Sequence, residues 1–359
     1  MHVDWHWIKQ RPHFLAEELS SEFDVLVVYP RVNSRSHLVE NETDLRRVPM
    51  LQLPFSRYKF VTFLNECIRG GYFWLLMLFY KPKVVWLTFP TIIPQVVLNK
   101  FGKALVVYDC MDDASEFTSS DAKKIDILHK EQMLLERADL VFVSSQRLRE
   151  KVLGKGVSSD KLKLVRNAFG GQEYLASGLS PITNASSSSL RVLFFGAIGD
   201  YLDFDVLLNC LAKCEGVEFH FVGPVMVQTP KHARLKFHGQ VEHSRLADLM
   251  QPYDCFIMPF KINELIQSVD PVKLYEYINF NKNIISPYYR EIERFSEFVL
   301  FYRSKDELVT LVENLLRDNQ IKYNEEQRRL FLQKNNWRER GIAITKVLTD
   351  KLLSGSEKV

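Results

Sequence analysis

Apolar residues along the chain fall into two alternating patterns. Short β-branched and aromatic runs, "FDVLVVYP" (23–30), "PKVVWLTFP" (82–90), "KALVVYD" (103–109) and "ADLVFVSS" (138–145), are bounded by turn residues and read as buried strands. Between them, "RPHFLAEELS" and "KKIDILHKEQMLLERA" carry helical spacing. A second series follows: "LRVLFFGAI" (190–198), "VEFHFVGP" (217–224), "RLKFHGQ" (234–240), "YDCFIMPF" (253–260) and "NIISPY" (283–288), separated by helical segments such as "LADLM" and "DPVKLYEYINF". Strand and helix in alternation predict a parallel sheet covered on both faces. The stretch "ASGLSPITNASSSS" is the most linker-like in the chain. The pattern therefore predicts an α/β protein with domains over 1–175 and 190–335, a linker over 176–189, and a C-terminal helix over 336–359 anchored by Trp337. Ligands of such sheets bind beyond the carboxyl ends of the strands.

Length agrees with two domains, because 359 residues exceed what one core usually organises. The chain is 46% apolar and 25% charged, as an ordinary globular protein is. A net charge of +3 with no stripe of Lys and Arg argues against nucleic acid as a partner. Five cysteines, Cys67, Cys110, Cys210, Cys214 and Cys255, lack paired spacing, which disfavours a disulfide framework or zinc site and fits a reducing cytoplasm. The opening "MHVDWHWIKQRPHFLAEELS" is polar and aromatic where a secretory leader would be apolar. Only Met1 to Val3 precede Asp4, too few for the strand that opens such an α/β domain, so that strand is shortened or vestigial, or the true start lies upstream.

The longest apolar run, "GYFWLLMLFY" (71–80), is about half of what a bilayer-spanning helix needs. Around it, Arg57, Lys59, Arg69, Lys81, Lys83, Lys100 and Lys103 face one acid, Glu66. Such a mixture suits a surface resting on anionic lipid, and equally a buried helix with solvated lysines around it.

The segment "DPVKLYEY" (270–277) raises a chemical question. Asp270 reads as an N-cap and Pro271 as the first helical residue, yet Lys273 falls in the first turn, where a carboxylate is favoured. A phosphate or diphosphate partner would account for that cation. Glu276, one turn on, is then placed to accept hydrogen bonds from a ribose, or else simply pairs with Lys273 on the surface.

"SVDPVKLYEYINFNKNIISP" resembles the signature of GT-B glycosyltransferases. "DWHWIKQRPHFLAEELS" resembles the Trp-x-x-x-x-Gln-Arg-Pro-x-x-Leu-Ala pattern of bacterial cell-surface polysaccharide transferases of the teichuronic acid and xanthan glucuronosyltransferase kinds, and "VYDCMDDASEF" is similar to their central segment. The resemblance spans the whole chain and implies two Rossmann-like domains facing a central cleft. It implies that Lys273 contacts a donor diphosphate and Glu276 its ribose, with Pro271 and Val272 offering backbone nearby. Gly196 and Gly199 in "FFGAIGDYLDFD" would let backbone approach the diphosphate, Gly223 in "FVGP" and Pro259 in "MPF" would line the same cleft, and His238 in "HGQV" would lie near the base. A Gly-x-x-Gly turn alone is a weak signal. Recognition of the base by main chain leaves UDP-, GDP- and dTDP-linked donors open. Trp5, Trp7, Gln10 and Arg11 become acceptor-binding candidates, with packing as the alternative for the tryptophans, and His13 reads as structural. The C-terminal helix of the resembling family crosses back to the first domain, with packing on its own domain as the alternative.

Retaining members of the fold carry two glutamates eight positions apart, and eight positions before Glu276 stands Ser268. Glu264 and Asp270 are off register, so inversion is expected, with one carboxylate taking the acceptor's proton. Asp113 is the favoured base and Asp112 the close second, mutual repulsion raising one of the pair; capping of "ASEF" is the alternative. With Lys273 neutralising the leaving diphosphate, no metal and no cofactor beyond the nucleotide-sugar cosubstrate are expected. The expected function is transfer of a sugar from a nucleoside-diphosphate sugar to a glycan or lipid-linked polysaccharide precursor, by a cytoplasmic enzyme peripheral on the inner face of the plasma membrane. The alternatives are a nucleotide-sugar epimerase of the same fold and a non-catalytic nucleotide-sugar binding subunit.

Overall fold

The computed structural model describes residues 1–7, 9–31, 43–50, 52–53, 58–92, 101–171, 189–241 and 249–356. The expected linker lies outside the described residues apart from Ser189, as do Arg57, Lys100 and most of "LADLM". The chain forms two compact units, Met1–Asn167 with Trp337–Val359, and Ala168–Asn336.

The first unit opens with α1 (Arg11–Leu19), which has Pro12 in its first turn, followed by β1 (Leu26–Pro30) and β2 (Arg46–Met50), a parallel pair. Next come α2 (Lys59–Tyr80), β3 (Val84–Leu87), β4 (Leu105–Cys110), a 3-10 turn (Ala114–Phe117), α3 (Asp121–Arg137), β5 (Leu140–Val143), α4 (Gln146–Gly154) and β6 (Leu162–Leu164). Strands β3 to β6 form a four-stranded parallel sheet in chain order. The single sheet that the pattern suggests is thus divided, and the chain's first residues reach both parts: the Met1 amine donates to Val28 O at 2.6 Å, and His2 N to Thr88 Oγ1 at 3.0 Å. Strands β4 and β5 are buried on both faces, which is why they read as continuous apolar runs. Strand β2 went unread because "RRVPM" is an exposed edge, where arginines and a proline are tolerated.

The second unit holds β7 (Leu190–Phe195), α5 (Phe204–Lys213), β8 (Val217–Val222), β9 (Leu235–Phe237), β10 (Cys255–Ile257), α6 (Glu264–Ser268), α7 (Val272–Ile278), β11 (Asn283–Pro287), a 3-10 turn (Arg290–Phe295), β12 (Val299–Tyr302), α8 (Lys305–Arg317) and α9 (Glu325–Lys334). Its six strands are parallel and ordered β12-β11-β10-β7-β8-β9. The order reverses between β7 and β10, and in doubly wound sheets ligands bind beyond the carboxyl ends of the strands at that switch point. The period-two alternation sends Phe195 and Leu193 into a core with Phe256 and Tyr277, while Phe194 and Val192 join Leu207 and Phe221 on the opposite face. Asp203 caps α5 by accepting from Val206 N at 3.1 Å, and Ser304 caps α8 through Glu307 N at 3.1 Å.

The last helix, α10 (Trp337–Ser356), groups with the first unit. Trp337 stacks on Phe14 of α1 with centroids 5.2 Å apart, and a Cβ on Gly341 would stand 2.7 Å from Glu18 Cβ, so a glycine is what allows the two helices this approach.

Candidate functional site

In the second unit, three chain turns meet beyond the carboxyl ends of β7, β8 and β9. Gly196 follows β7 at φ +144°, Gly223 follows β8 at φ +141°, and Gly239 follows β9 at φ +72°. Gly196 N donates to Val222 O at 2.8 Å and Gly223 N to Gly239 O at 2.7 Å. A Cβ on Gly223 would fall 1.9 Å from Gly196 O, so glycine is obligatory there. Asp203 N donates to Pro259 O at 2.7 Å, which ties the segment after β7 to the end of β10. A Cβ on Gly199 would meet the Tyr201 ring at 2.5 Å, and the Tyr201 hydroxyl donates to Ala197 O, closing this turn on itself.

Lys273 stands against the same glycines. A Cβ on Gly196 would lie 2.9 Å from Lys273 Cε, and the Lys273 ammonium sits 4.8 Å from the centroid of Phe195, over its ring. The ammonium also donates to Glu276 Oε2 at 2.7 Å, so the pair read as an alternative to donor binding is present. Side chains of 30% and 27% exposure make such a pair worth only a few tenths of a kcal/mol, which a diphosphate would outweigh.

The capping expectation needs correction. The N-cap position of α7 falls on Pro271, not Asp270, whose buried carboxylate accepts from Tyr275 Oη at 3.0 Å and from the Arg294 guanidinium. With seven residues, Val272–Ile278, α7 contributes little dipole, and the positive charge is that of Lys273 itself. His238 N donates to Phe221 O at 2.9 Å, and the His238 ring stacks on His220 with Nε2 2.9 Å from the His220 Nδ1. Burial, and next the neighbouring His238, lower the pKa of His220.

In the first unit, two acceptor candidates prove structural. Arg11 and Asp109 form a buried pair of 1% and 0% exposure: Arg11 Nε donates to both carboxylate oxygens at 3.0 Å, Nη2 to Oδ1 at 2.8 Å, and Nη1 to Val165 O at 2.8 Å. Its fork is taken up by the protein and is not free for an anion. Trp5 is fully buried with Val27 and Tyr29 and lies against the His13 ring at 4.9 Å, so it offers no stacking face to a sugar. His13 is structural as expected: its Nε2 is 3.2 Å from Trp5 O and its Nδ1 accepts from Gln10 N at 3.1 Å, while burial lowers its pKa to about 4. Trp7 and Gln10 are partly buried. Arg11→Ala leaves Asp109 buried without its partner, and is expected to cost about 3–5 kcal/mol of stability in a urea titration; a loss below about 1 kcal/mol would show that the pair is not what joins α1 to β4.

The loop after β4 carries Asp112 and Asp113, fixed by the Ser144 hydroxyl donating to Met111 O at 2.7 Å. Asp113 stands at the N-cap position of the 3-10 turn without a side-chain capping bond; it accepts from Ser115 Oγ at 2.8 Å and from the Lys151 ammonium. Burial pushes its pKa up, but Lys151 and Ser115 outweigh burial and leave the carboxyl below its usual value. Asp112 differs. Burial, with Asp109 and Asp113 adding to it against Arg11, raises its pKa to about 7. Of the two carboxyls, Asp112 is the one poised near neutrality, a value that suits proton abstraction.

Gly239, Tyr201 and Lys151 were not singled out from the sequence. Only Gly239 left a trace, as the glycine of the "HGQ" turn. Among the described residues, no group of three or more His, Cys, Asp or Glu is arranged to hold a metal ion.

The doubly wound second unit, the parallel-sheet first unit and the returning C-terminal helix define the GT-B fold. Solved structures with that architecture cover nearly the whole chain: HepE of Anabaena in complex with UDP-glucose (TM-score 0.65, 14% identity, 97% of this chain and 98% of that one) and a trehalose-6-phosphate protein of E. coli bound with UDP-2-fluoro glucose (TM-score 0.64, 11% identity, 97% and 98%). The lipopolysaccharide outer core galactosyltransferase WaaB, in its apo form, is similar over 86% of this chain and 85% of its own (TM-score 0.57, 13% identity). In sequence, the chain is 23% identical over 274 residues to TuaH of Bacillus subtilis, named as a teichuronic acid biosynthesis glycosyltransferase, covering 70% of this chain and 68% of that protein. No family model matches the chain. The likeness to this relative and to these folds bears out the resemblance, the GT-B architecture and the reading of the chain as a glycosyltransferase.

Proposed function

We propose that the protein transfers a sugar from a nucleoside-diphosphate sugar to a bacterial cell-surface polysaccharide precursor carried on a lipid, at the inner face of the plasma membrane. The observation that carries this reading is the Lys273 ammonium packed against Gly196, beside the Gly223 and Gly239 turns, at the switch point of a doubly wound sheet. Backbone turns without side chains admit a diphosphate closely, and one ammonium supplies the countercharge. On binding, Lys273 would exchange Glu276 for phosphate oxygens, freeing the Glu276 carboxylate for ribose hydroxyls.

The chemistry assigned is inverting and independent of a metal. Asp112 takes the proton of the acceptor hydroxyl as its oxygen bonds to the anomeric carbon, and the bond to the diphosphate breaks with its electron pair passing to the diphosphate, which Lys273 stabilises. Ser268, buried with its hydroxyl donating to Leu265 O at 2.7 Å, supplies no second carboxylate for a retaining route. A thermal-shift series with UDP-, GDP-, dTDP- and CMP-sugars tests the donor class. One nucleotide family is expected to raise the melting temperature by several degrees at 100-fold excess over its Kd, and a flat response to all four would remove the donor reading.

A further inference from the structure

Helix α2 has two faces of unusual character. Its inward side packs Phe73, Tyr72, Leu76 and Met77 on the core of the first unit, and two polar side chains tie it to neighbouring backbone: the Asn65 carboxamide bonds Leu53 O at 3.1 Å and Leu53 N at 2.8 Å, and Arg69 Nη1 donates to Thr91 O at 3.0 Å. Its outward side is apolar as well. Phe60, Phe63, Leu64, Trp74, Leu75 and Leu78 recur at helical spacing along one stripe, with Cys67 and Gly71 between them, and all six are exposed, from 36% at Leu64 to 73% at Phe60. Phe79, beside the stripe, is 76% exposed. By sequence, Lys59, Glu66 and Arg69 are the helix's only charged residues, and Glu66 and Arg69 fall outside the stripe. A run of exposed large apolar side chains this long marks a docking face.

We propose that α2 is an in-plane membrane helix whose outward stripe sits in the interfacial zone of an anionic bilayer. Two observations select that occupant. The helix cannot span, because its inner face is committed to the protein core and none of the described helices is long and apolar enough to cross a membrane. Basic residues also cluster where the stripe ends: Lys81 caps the helix at φ 44°, and Lys83 and Lys103 are exposed at adjoining strand starts, where Leu105 N donates to Lys83 O at 2.9 Å. Apolar stripe and ammonium groups together match acyl chains and anionic headgroups. A second copy of the chain would fit less well, since its matching face offers those lysines a single acid, Glu66.

The inference rests on the lipid-linked acceptor reading only for its purpose. Strand β3, next to which α2 is tied by Arg69 and Thr91, pairs with β4, and Asp112 follows β4. Helix and proposed base thus belong to one compact unit, as presentation of a membrane-anchored acceptor to that base requires.

The test is co-sedimentation of the full chain with phosphatidylcholine vesicles, with and without phosphatidylglycerol. The wild type is expected to bind the anionic vesicles at least about tenfold more strongly than the neutral ones. Phe63→Ser with Trp74→Ser and Leu78→Ser is expected to lower that binding by about a hundredfold or more, while the circular dichroism melt stays in place because these side chains are exposed. Lys81→Ala with Lys83→Ala and Lys103→Ala should instead erase the preference for anionic lipid. A wild-type chain left in the supernatant with anionic vesicles overturns the proposal. So does a wild-type dimer on gel filtration that the triple serine variant converts to monomer, which would assign the stripe to self-association. Vesicle binding requires no nucleotide, so its outcome stands whether or not sugar transfer is observed.

Discussion

Lys273→Ala is expected to lower kcat/KM for the donor by about 10²–10³-fold, the range seen when one preorganised charge-stabilising group is removed from a transition state. The loss should fall on kcat as well as on KM, because charge accumulates on the leaving diphosphate as its bond to the sugar breaks. Stability should barely change. The side chain is part-exposed and its pair with Glu276 is worth only tenths of a kcal/mol, so the melting curve serves as the control. Glu276→Gln, which keeps the shape but weakens acceptance from ribose, is expected to act mainly on donor KM. Initial rates over a donor concentration series, beside a thermal melt, check both. A Lys273→Ala enzyme within threefold of wild type would remove the lysine from the chemistry.

The second large effect belongs to Asp112. Asp112→Asn is expected to lower kcat by about 10²–10⁴-fold, the usual contribution of a positioned general base, and Asp113→Asn by much less, since Asp113 is already engaged by Lys151 and Ser115. Because the Asp112 carboxyl titrates at about 7, wild-type activity should climb with pH up to neutrality and level off above it, and the Asn variant should lose that limb. Stability moves the other way. Between the ordinary value of 3.8 and about 7, the native state keeps a proton on Asp112 that the unfolded chain has released, so this group's contribution to stability falls as pH rises through that window. Asp113, held below its ordinary value, contributes stability that is present above that value and lost as acid protonates it. Rate–pH profiles of the two Asn variants separate the roles; an unaltered acid limb in Asp112→Asn would assign the base elsewhere.

Much of this was legible because burial writes itself into sequence. Strands β4, β5, β7 and β8 lie inside two-sided sheets and so read as unbroken apolar runs. The glycines at 196 and 223 were readable for a related reason, since only a missing side chain lets two strand ends touch. What failed were residues whose type fits two roles. Arg11 and Trp5 look like ligand-binding residues in a one-dimensional pattern, but an arginine fork satisfied by Asp109 and Val165, and an indole enclosed by Val27 and Tyr29, hold α1 in place. Asp270 misled in the same way: a carboxylate before Pro271 suits a cap, and what removes it is Arg294, 24 positions further along the chain. That Asp113 is engaged depended on Lys151, 38 positions from it in the chain, which no local reading supplies. For α2, the apolar run left a buried helix and a lipid-resting surface both open, and which face turns outward is fixed only by how the core packs.

The most direct measurement is isothermal titration of wild type and Lys273→Ala with the nucleoside diphosphate of the preferred donor and with the bare nucleoside. A lysine-and-glycine cradle for the diphosphate predicts that the wild type binds the diphosphate at least about 100-fold more tightly than the nucleoside, and that the variant loses most of that difference while its nucleoside affinity is retained. Equal affinities for the two ligands in the wild type, or a ratio that Lys273→Ala leaves intact, would contradict it.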